Sequence, residues 1–255
     1  MDGYSTVEKN DHYGLIDKTG KEVYPCTSDE GIWAISPGNY IVNNNGVKSV
    51  VNIQGQATLP FKNFGELYYD KENNQYALND EKGKWVIATP DGTVKIKVDG
   101  EGLIYRSDGV YLLSKTTDST GTQNAVMNGK GELVVPYGKY YSISPIVSNG
   151  LICVGIKSGE TPSSEEGITN INQKVGYIDV TGKEIIPLQF QDAMLDFSEG
   201  LAGVSLKDKM GFIDTTGKMV IPATFDKVNS FQNGYAKVWN ADTTHFIDKT
   251  GRIIN

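Results

Sequence analysis

Four aspartates stand at the same place in four similar stretches of the chain, and they are the first candidates for chemistry. Each begins an Asp-x-Thr-Gly motif, and they are Asp17, Asp179, Asp214 and Asp248. Carboxylate oxygens bind Ca²⁺ and Mg²⁺, but the same motif is typical of a tight turn, in which Asp accepts backbone hydrogen bonds and Gly takes a positive φ. Related stretches carry Asn52, Thr89 and Asn128 at this place, which keep the oxygen and lose the charge. We therefore predict a structural turn and no metal site.

The other residue types that carry catalysis are sparse. The two histidines, His12 and His245, lack the third ligand and the spacing of a zinc site. Cys26 and Cys153 lie far apart, form no Cys-x-x-Cys motif, and are predicted to behave as small apolar residues. No nucleophile elbow, P-loop or dinucleotide-binding glycine motif is present. We predict a protein that is not an enzyme and needs no cofactor; a hydrolase using two carboxylates stays an alternative, because any two acidic residues could supply it.

Aromatic residues outside the repeated stretches are the candidates for ligand binding. Exposed aromatic rings stack on sugar faces and form the hot spots of protein interfaces. The predicted ligand-binding residues are Trp33, Tyr68, Tyr69, Tyr105, Arg106, Tyr140, Tyr141 and Trp239. The competing interpretation is that these rings are core residues packed between sheets.

Composition narrows the class of protein that must position these residues. The chain has 255 residues, a formal charge of −7 and 29 glycines. No apolar run is long enough to span a membrane, and the acidic balance argues against nucleic acid as a partner. Met1–Tyr4 has neither the basic nor the apolar region of a signal peptide.

An internal repeat organises the whole chain. Glycines of the predicted turns recur about every 34–39 residues, with one longer interval, and they are Gly20, Gly55, Gly92, Gly131, Gly182, Gly217 and Gly251. The longer interval holds a polar insertion near Ser158–Gln173, which its composition predicts to be a surface loop. We therefore predict one β domain over residues 1–255 with seven copies of the repeat.

Each copy has the period-two alternation of strands. In the sixth copy this predicts a first strand at Gly200–Val204, a second at Gly211–Asp214, a third at Lys218–Pro222 and a short fourth at Phe225–Phe231. A proline follows the turn glycine in most copies, and since proline cannot donate to a ladder it is predicted to end the third strand. These prolines are Pro25, Pro60, Pro136, Pro187 and Pro222.

The repeat resembles that of the bacterial WG-repeat, or KWG-repeat, proteins. The residues that carry the resemblance are Phe197–Ala202 with Gly211–Asp214, and Phe231–Val238 with Phe246–Gly251. The signature Trp survives only at Trp85, and the Gly beside it only in three copies, at Gly14, Gly176 and Gly211. The resemblance implies a protein built from β repeats, often exported, and it supplies no catalytic motif.

A repeat of this length cannot bury a core alone, so neighbouring copies must stack. Seven copies predict an all-β seven-bladed β-propeller, with an open β-solenoid array or two smaller β domains as alternatives. The predicted function is a non-catalytic binding module, extracellular or in the cell envelope, that recognises a protein or a glycan. The alternative without a ligand is a structural spacer in an envelope protein. The sequence leaves the oligomeric state open.

Overall fold

The computed structural model is all-β and describes residues 3–59, 62–80, 82–105, 108–119, 121–162, 169–193, 196–241 and 243–254. The strands form seven antiparallel sheets of three or four strands each. The predicted all-β repeat fold is confirmed, and seven such sheets match a seven-bladed β-propeller. Among these residues no helix has the length and apolar character that crossing a bilayer needs.

The chain divides into two compact units, residues 1–105 and residues 106–255. Whether residues 1–255 form one domain stays a prediction. Unit 1 holds three complete sheets, in each of which the strands follow one another in chain order. Their strands are β1 (Tyr4–Lys9), β2 (His12–Asp17) and β3 (Glu22–Ser28); β4 (Trp33–Ser36), β5 (Asn39–Asn44) and β6 (Val47–Asn52); and β7 (Leu67–Asp70), β8 (Gln75–Asn79), β9 (Trp85–Ala88) and β10 (Val94–Lys97). Unit 1 ends with β11 (Gly102–Tyr105).

Unit 2 has the same up-and-down connectivity, and its last three sheets have four strands each. Its fourth-sheet strands are β12 (Val110–Thr117), β13 (Gly121–Asn128) and β14 (Leu133–Val135). The fifth sheet has β15 (Ser142–Ser148), β16 (Leu151–Pro162), β17 (Thr169–Asp179) and β18 (Glu184–Phe190). The sixth has β19 (Asp192–Ala193), β20 (Leu201–Leu206), β21 (Lys209–Asp214) and β22 (Met219–Phe225), and the seventh has β23 (Lys227–Val228), β24 (Tyr235–Asn240), β25 (Thr243–Asp248) and β26 (Ile253–Ile254).

The predicted fourth strand of the sixth copy is wrong in its placement. Phe225 ends the third strand, β22, and a separate short strand, Lys227–Val228, pairs with β24 of the seventh sheet. A single residue, Asp226, therefore connects the last strand of the sixth sheet to the first strand of the seventh. The sequence pattern runs on through this point because both short segments alternate in the same way, and alternation does not reveal which partner a strand has.

The Asp-x-Thr-Gly motifs form the predicted turns. Asp214 Oδ1 accepts hydrogen bonds from Thr216 N at 2.9 Å, Thr216 Oγ1 at 2.6 Å and Lys218 N at 3.1 Å, and Gly217 has φ +85°. Asp17, Asp179 and Asp248 make the same three bonds. The bond from Thr216 Oγ1, followed by the backbone bonds, holds the pKa of Asp214 below its usual range. A charge-assisted turn is thus the role of these carboxylates.

Three of the prolines lie inside the third strand rather than at its end, so that prediction is wrong for Pro25, Pro187 and Pro222. In the sixth sheet the β21–β22 ladder shifts register where Pro222 lies. Such a bulge needs no donor from the proline. Pro136 does follow the last residue of β14 as predicted, and Pro60 lies outside the described residues.

A glycine on the second strand makes room for this bulge. A β-carbon on Gly211 would lie 2.4 Å from the Ile221 carbonyl oxygen and 2.7 Å from the Pro222 carbonyl carbon. Gly14 and Gly176 meet the bulges of β3 and β18 in the same way. In the fourth sheet Ala125 takes this place, and the third strand there has only 3 residues.

The core of unit 2 lies between successive sheets. Ala202 and Val204 of the sixth sheet pack with Tyr177 of the fifth in one buried cluster. Phe212 of the sixth sheet contacts Phe231, which leads into β24, with ring centroids 4.8 Å apart. Each sheet therefore supplies part of its neighbour's core, as the repeat length requires.

The polar insertion near 158–173 is not a loop in its described part. β16 and β17 continue through it as a paired hairpin, from Lys157 opposite Gln173 to Pro162 opposite Thr169. Residues 163–168 lie outside the described part. The polar composition misled the prediction because strands exposed on both faces need no apolar alternation.

Candidate functional site

The hairpin that β16 and β17 form is the largest departure from the repeat. β16 has 12 residues and β17 has 11, where the corresponding strands of the sixth sheet have 6. Residues 156–162 and 169–174, called the hairpin extension below, reach beyond the rest of the fifth sheet. A cleft opens along each of its two edges. Because the regular sheets of the repeat hold it in position, the hairpin extension is the first candidate for a function that the repeat alone does not supply.

Gly155 marks the base of the hairpin extension. A β-carbon there would lie 2.5 Å from Ser142 Oγ and 2.8 Å from Gln173 Oε1. Those two side chains meet in the space that the glycine leaves, with Ser142 Oγ donating to Gln173 Oε1 at 3.0 Å. Tyr141 N donates to the Gly155 carbonyl oxygen at 2.8 Å. The base is therefore fixed by hydrogen bonds from both β15 and β17.

The first cleft, called the tyrosine cleft, runs along the β16 edge. It has a volume of about 410 Å³ and is lined by residues that include Gln123, Lys139, Tyr141, Ile156 and Lys157. The Tyr141 side chain is 56 % exposed, although its backbone is held by Gly155. A planar ring on a fixed backbone loses little conformational entropy when it binds a ligand.

Two lysines, Lys139 and Lys157, line the tyrosine cleft. Lys139 Nζ lies 5.2 Å from the ring centroid of Tyr140, which is buried in the core cluster beneath. Lys157 forms an ion pair with Glu160 on the same strand. The arrangement offers an aromatic face, an aliphatic side chain at Ile156 and ammonium donors, which suits recognition of a polar ligand.

The second cleft, called the amide cleft, runs along the β17 edge. It has a volume of about 510 Å³, and the residues that line it include Asn172, Gln173, Gln189 and Gln191. Gln191 is fixed by two hydrogen bonds with Asp208, at 3.0 Å to Oδ1 and at 2.9 Å from its backbone N. Side-chain amides both donate and accept, so this cleft can match the backbone of another chain.

In unit 1, the predicted ligand-binding residues differ in exposure and in the contacts that their side chains make. Trp33 is 54 % exposed on β4. The Tyr68 ring stacks on Trp85 with centroids 6.0 Å apart and an interplanar angle of 14°, and Tyr69 Oη donates to Asn74 Oδ1 at 2.9 Å. Trp33 is thus accessible, whereas Tyr68 and Tyr69 are engaged within their own sheet.

In unit 2, Tyr140 and Tyr141 are brought together with the hairpin extension, and Trp239 lies elsewhere. Trp239 is half-buried on β24, with Lys237 Nζ at 5.1 Å and Lys227 Nζ at 5.5 Å from its ring centroid. Tyr105 ends β11, but its side chain and the whole of Arg106 lie outside the described residues. That these residues bind a ligand stays a prediction.

Sequence reasoning missed the hairpin extension and an exposed aromatic pair on the last sheet. Tyr235 and Phe246 are 41 % and 44 % exposed, and their ring centroids lie 5.8 Å apart. Both fall on repeat positions whose sixth-copy equivalents, Leu201 and Phe212, are buried, so the repeat pattern gives no sign that these two rings are exposed. For the hairpin extension, the signal was the run Thr169–Gln173, in which β-branched residues recur without proline or glycine.

Two of the residues considered for catalysis, His12 and Cys153, can be described by their surroundings. His12 Nδ1 lies 2.8 Å from the Asn10 carbonyl oxygen and Nε2 lies 3.4 Å from Asp29 Oδ1. Burial, and secondly the charge of Asp192, raises the pKa of the Cys153 thiol to about 12. Within the described ranges, no three His, Cys, Asp or Glu side chains group as metal ligands would.

Comparison with known proteins bears on the repeat and on the fold. The family model described as "WG containing repeat" matches residues 13–47, 126–157, 176–209 and 210–238, just over half of the chain. No curated protein matches the chain.

Among solved structures, a eukaryotic initiation factor matches with a TM-score of 0.50 at 10% identity, over 98% of this chain and 72% of that one. BamB from Moraxella catarrhalis matches with a TM-score of 0.37 at 11% identity, over 100% and 85%. The C-terminal WD40 domain of Sif2 matches with a TM-score of 0.37 at 11% identity, over 97% and 78%. At such identities the likeness to the initiation factor concerns the fold alone.

Proposed function

We propose that this chain, which belongs to the family of proteins with WG containing repeats, is a non-catalytic interaction module that recognises a protein or a glycan. A repeat frame of seven small sheets is a scaffold, and its function resides in what departs from the repeat. Here that departure is the hairpin extension with its clefts.

The observation that carries the proposal is the exposed ring of Tyr141 in the tyrosine cleft. Its backbone is bonded to Gly155, its side chain is 56 % exposed, and Lys139 and Lys157 line the same cleft. Aromatic rings held rigidly beside charged donors are typical of binding hot spots. An aromatic face beside hydrogen-bond donors also fits a sugar ring, so both ligand classes belong to the proposal.

The setting that we propose is a bacterial protein whose repeat domain lies outside the cell or in the cell envelope. The support is the likeness of its repeat to a family that is often exported. The exposed polar hairpin extension is consistent with a module that meets its ligand from solvent.

The test is a binding screen of the purified chain against a glycan array and against solubilised envelope fractions from bacteria. We expect saturable binding to a member of one set, weakened about tenfold or more by Tyr141→Ala, as for a hot-spot residue. The matched control is Trp33→Ala, which removes a similarly exposed ring, 54 % against 56 %, from unit 1.

One result would contradict the interaction module, and another would contradict only its site at Tyr141. If neither set contains a ligand, the structural spacer is the better interpretation. If Trp33→Ala weakens binding and Tyr141→Ala does not, the interaction module stands but its site lies on unit 1.

A further inference from the structure

The outer edge of β17 is occupied by β18 along only part of its length. The β17–β18 ladder begins with Val175 opposite Phe190 and continues to Ile178 opposite Glu184. After Phe190 the chain turns to the sixth sheet, where Gln191 N donates to the Ser205 carbonyl oxygen at 3.0 Å. Over residues 170–174, the described register places β16 on one side of β17 and no strand on the other.

The backbone groups that point outward along this edge can be derived from one hydrogen bond. The Gly155 carbonyl oxygen accepts from Tyr141, so Gly155 directs its backbone groups away from β17. In an antiparallel ladder, the backbone N–H and C=O groups of two directly opposite residues either all face the partner strand or all face away from it. Val175, the partner of Gly155, therefore points away from β16, and alternation gives the same direction to Gln173 and Ile171.

The two edges of the hairpin extension are protected unequally. Natural sheets guard an open edge with bulges, lysine and proline. The β16 edge has all three, because its register shifts between Lys157 and Gly159 and its last residue is Pro162. In contrast, β17 has neither a proline nor a charged residue from Thr169 to Gln173, and its one lysine, Lys174, adjoins the start of the β18 ladder at Val175. An edge so weakly guarded is a template for another strand.

The amide cleft is the space that an added strand would fill. Its volume of about 510 Å³ falls in the range of roughly 300–1,000 Å³ that ligand sites have. One wall is the β17 edge with Ile171 half-buried, and the other includes Gln189 and Gln191.

We propose that residues 170–174 of β17 bind an extended peptide segment of another protein as an added antiparallel strand, in line with β18. Main-chain bonds to Gln173 and Ile171 supply the affinity, as in other cases of strand addition. The side-chain amides of the cleft accept polar side chains, Lys174 and Asp192 add one charge of each sign to its lining, and the half-buried Ile171 accepts one apolar side chain. This inference rests on the proposed function as an interaction module and commits it to a protein ligand.

The test starts from a library of short random peptides displayed on phage and selected on the whole chain. Binding of the selected synthetic peptides is then measured by fluorescence anisotropy against wild-type, Ile171→Pro and Ile171→Val proteins. Proline removes an outward N–H without removing a bond to β16, so the protein folds and binding weakens about tenfold. Valine keeps the N–H and the β-branched shape and removes only one methyl group, so we expect it to weaken binding clearly less than proline does.

A second measurement does not depend on the protein variants. The selected peptide is methylated at one backbone nitrogen at a time, which removes one donor and leaves the side chains intact. Strand addition predicts that methylation weakens binding at every second residue only. Sensitivity without this period-two pattern overturns the proposal.

The remaining outcomes separate this inference from the proposed function. Selected peptides that bind Ile171→Pro as well as wild type, but lose binding to Tyr141→Ala, overturn the β17 site and leave the interaction module intact. Selection of no peptide overturns the β17 site, and the glycan array then tests the module independently. A concentration-dependent dimer that Ile171→Pro abolishes shows that the edge pairs with a second copy instead, which also overturns it.

Discussion

The backbone of Gly211 lies against the bulge that contains Pro222, with only 2.4 Å between a β-carbon built on Gly211 and the Ile221 carbonyl oxygen. The two residues lie on neighbouring strands of the sixth sheet, and the presence of each depends on the other. The proline shapes the bulge, and the glycine allows the bulge to cross the second strand. The same pairing joins Gly176 to Pro187 in the fifth sheet.

Replacing Gly211 by alanine is therefore expected to destabilise the fold. The added methyl group meets backbone atoms of the third strand that cannot move aside singly, and we expect a loss of about 1–3 kcal/mol in the free energy of unfolding. Urea titration followed by circular dichroism measures it. The control is Gly159→Ala, where the nearest atom, Asn172 Nδ2, lies 3.8 Å from the added carbon. Equal effects of the two substitutions would show that the bulge is not tightly packed.

The turn aspartates predict how stability depends on pH. Hydrogen bonds from Thr216 lower the folded-state pKa of Asp214, so its contribution is present above the unfolded-state pKa of about 3.9 and is lost as the pH falls further. Asp214→Asn keeps an acceptor but no charge. We expect a smaller loss in the urea midpoint between neutral and acidic pH than in the wild type. Glu184→Gln removes an exposed carboxylate outside these turns, and an identical change there would contradict the explanation.

The two cysteines are expected to differ in reactivity. Burial raises the pKa of Cys153 to about 12, so at about pH 8 it remains a thiol, which is a poor nucleophile. Cys26 is half-buried. A colorimetric thiol reagent should modify Cys26 in the native protein and Cys153 only after unfolding in urea. In Cys26→Ser the native protein should show no fast reaction, and a fast reaction in that variant would mean that Cys153 is accessible.

The ring pair between the sixth and seventh sheets is expected to dominate the stability of that region. Phe231 is fully buried against Phe212, so Phe231→Ala should lower the free energy of unfolding by about 3–5 kcal/mol. Phe246→Ala removes the same side chain from a position that is 44 % exposed, and we expect roughly 1 kcal/mol or less. Thermal unfolding of both variants tests the difference, which would vanish if the two sheets were not packed in solution.

The sequence predicted the repeat well because its turns depend on single residues. Gly217 has a positive φ and Asp214 accepts three hydrogen bonds, so their residue types recur wherever the turn does. The predicted position of Pro222 at the end of the third strand was wrong because a bulge depends on the residues of two strands. Pro222 alone does not show that Gly211 lies opposite the bulge.

The candidate site was only partly predictable. Tyr141 was named because aromatic residues outside the repeat are unusual, and it proved exposed. Its neighbour Tyr140 is buried, and nothing in a doublet of tyrosines distinguishes the two. The hairpin extension escaped prediction because its stabilising bonds run between backbones, from Lys157 opposite Gln173 onward, and its side-chain signal, the β-branched Thr169 and Ile171, lies within a polar run.

The glycine beside the bulge also limits the order in which a copy of the repeat can diverge. Where Gly14, Gly176 or Gly211 is kept, the third strand has 7 residues; where Ala125 stands instead, it has 3. A β-carbon at this place destabilises the copy while the long strand still crosses above it. In a lineage of such repeats, we therefore expect the strand to shorten before the glycine is replaced, and a copy that has lost its glycine to regain the long strand only at a cost in stability.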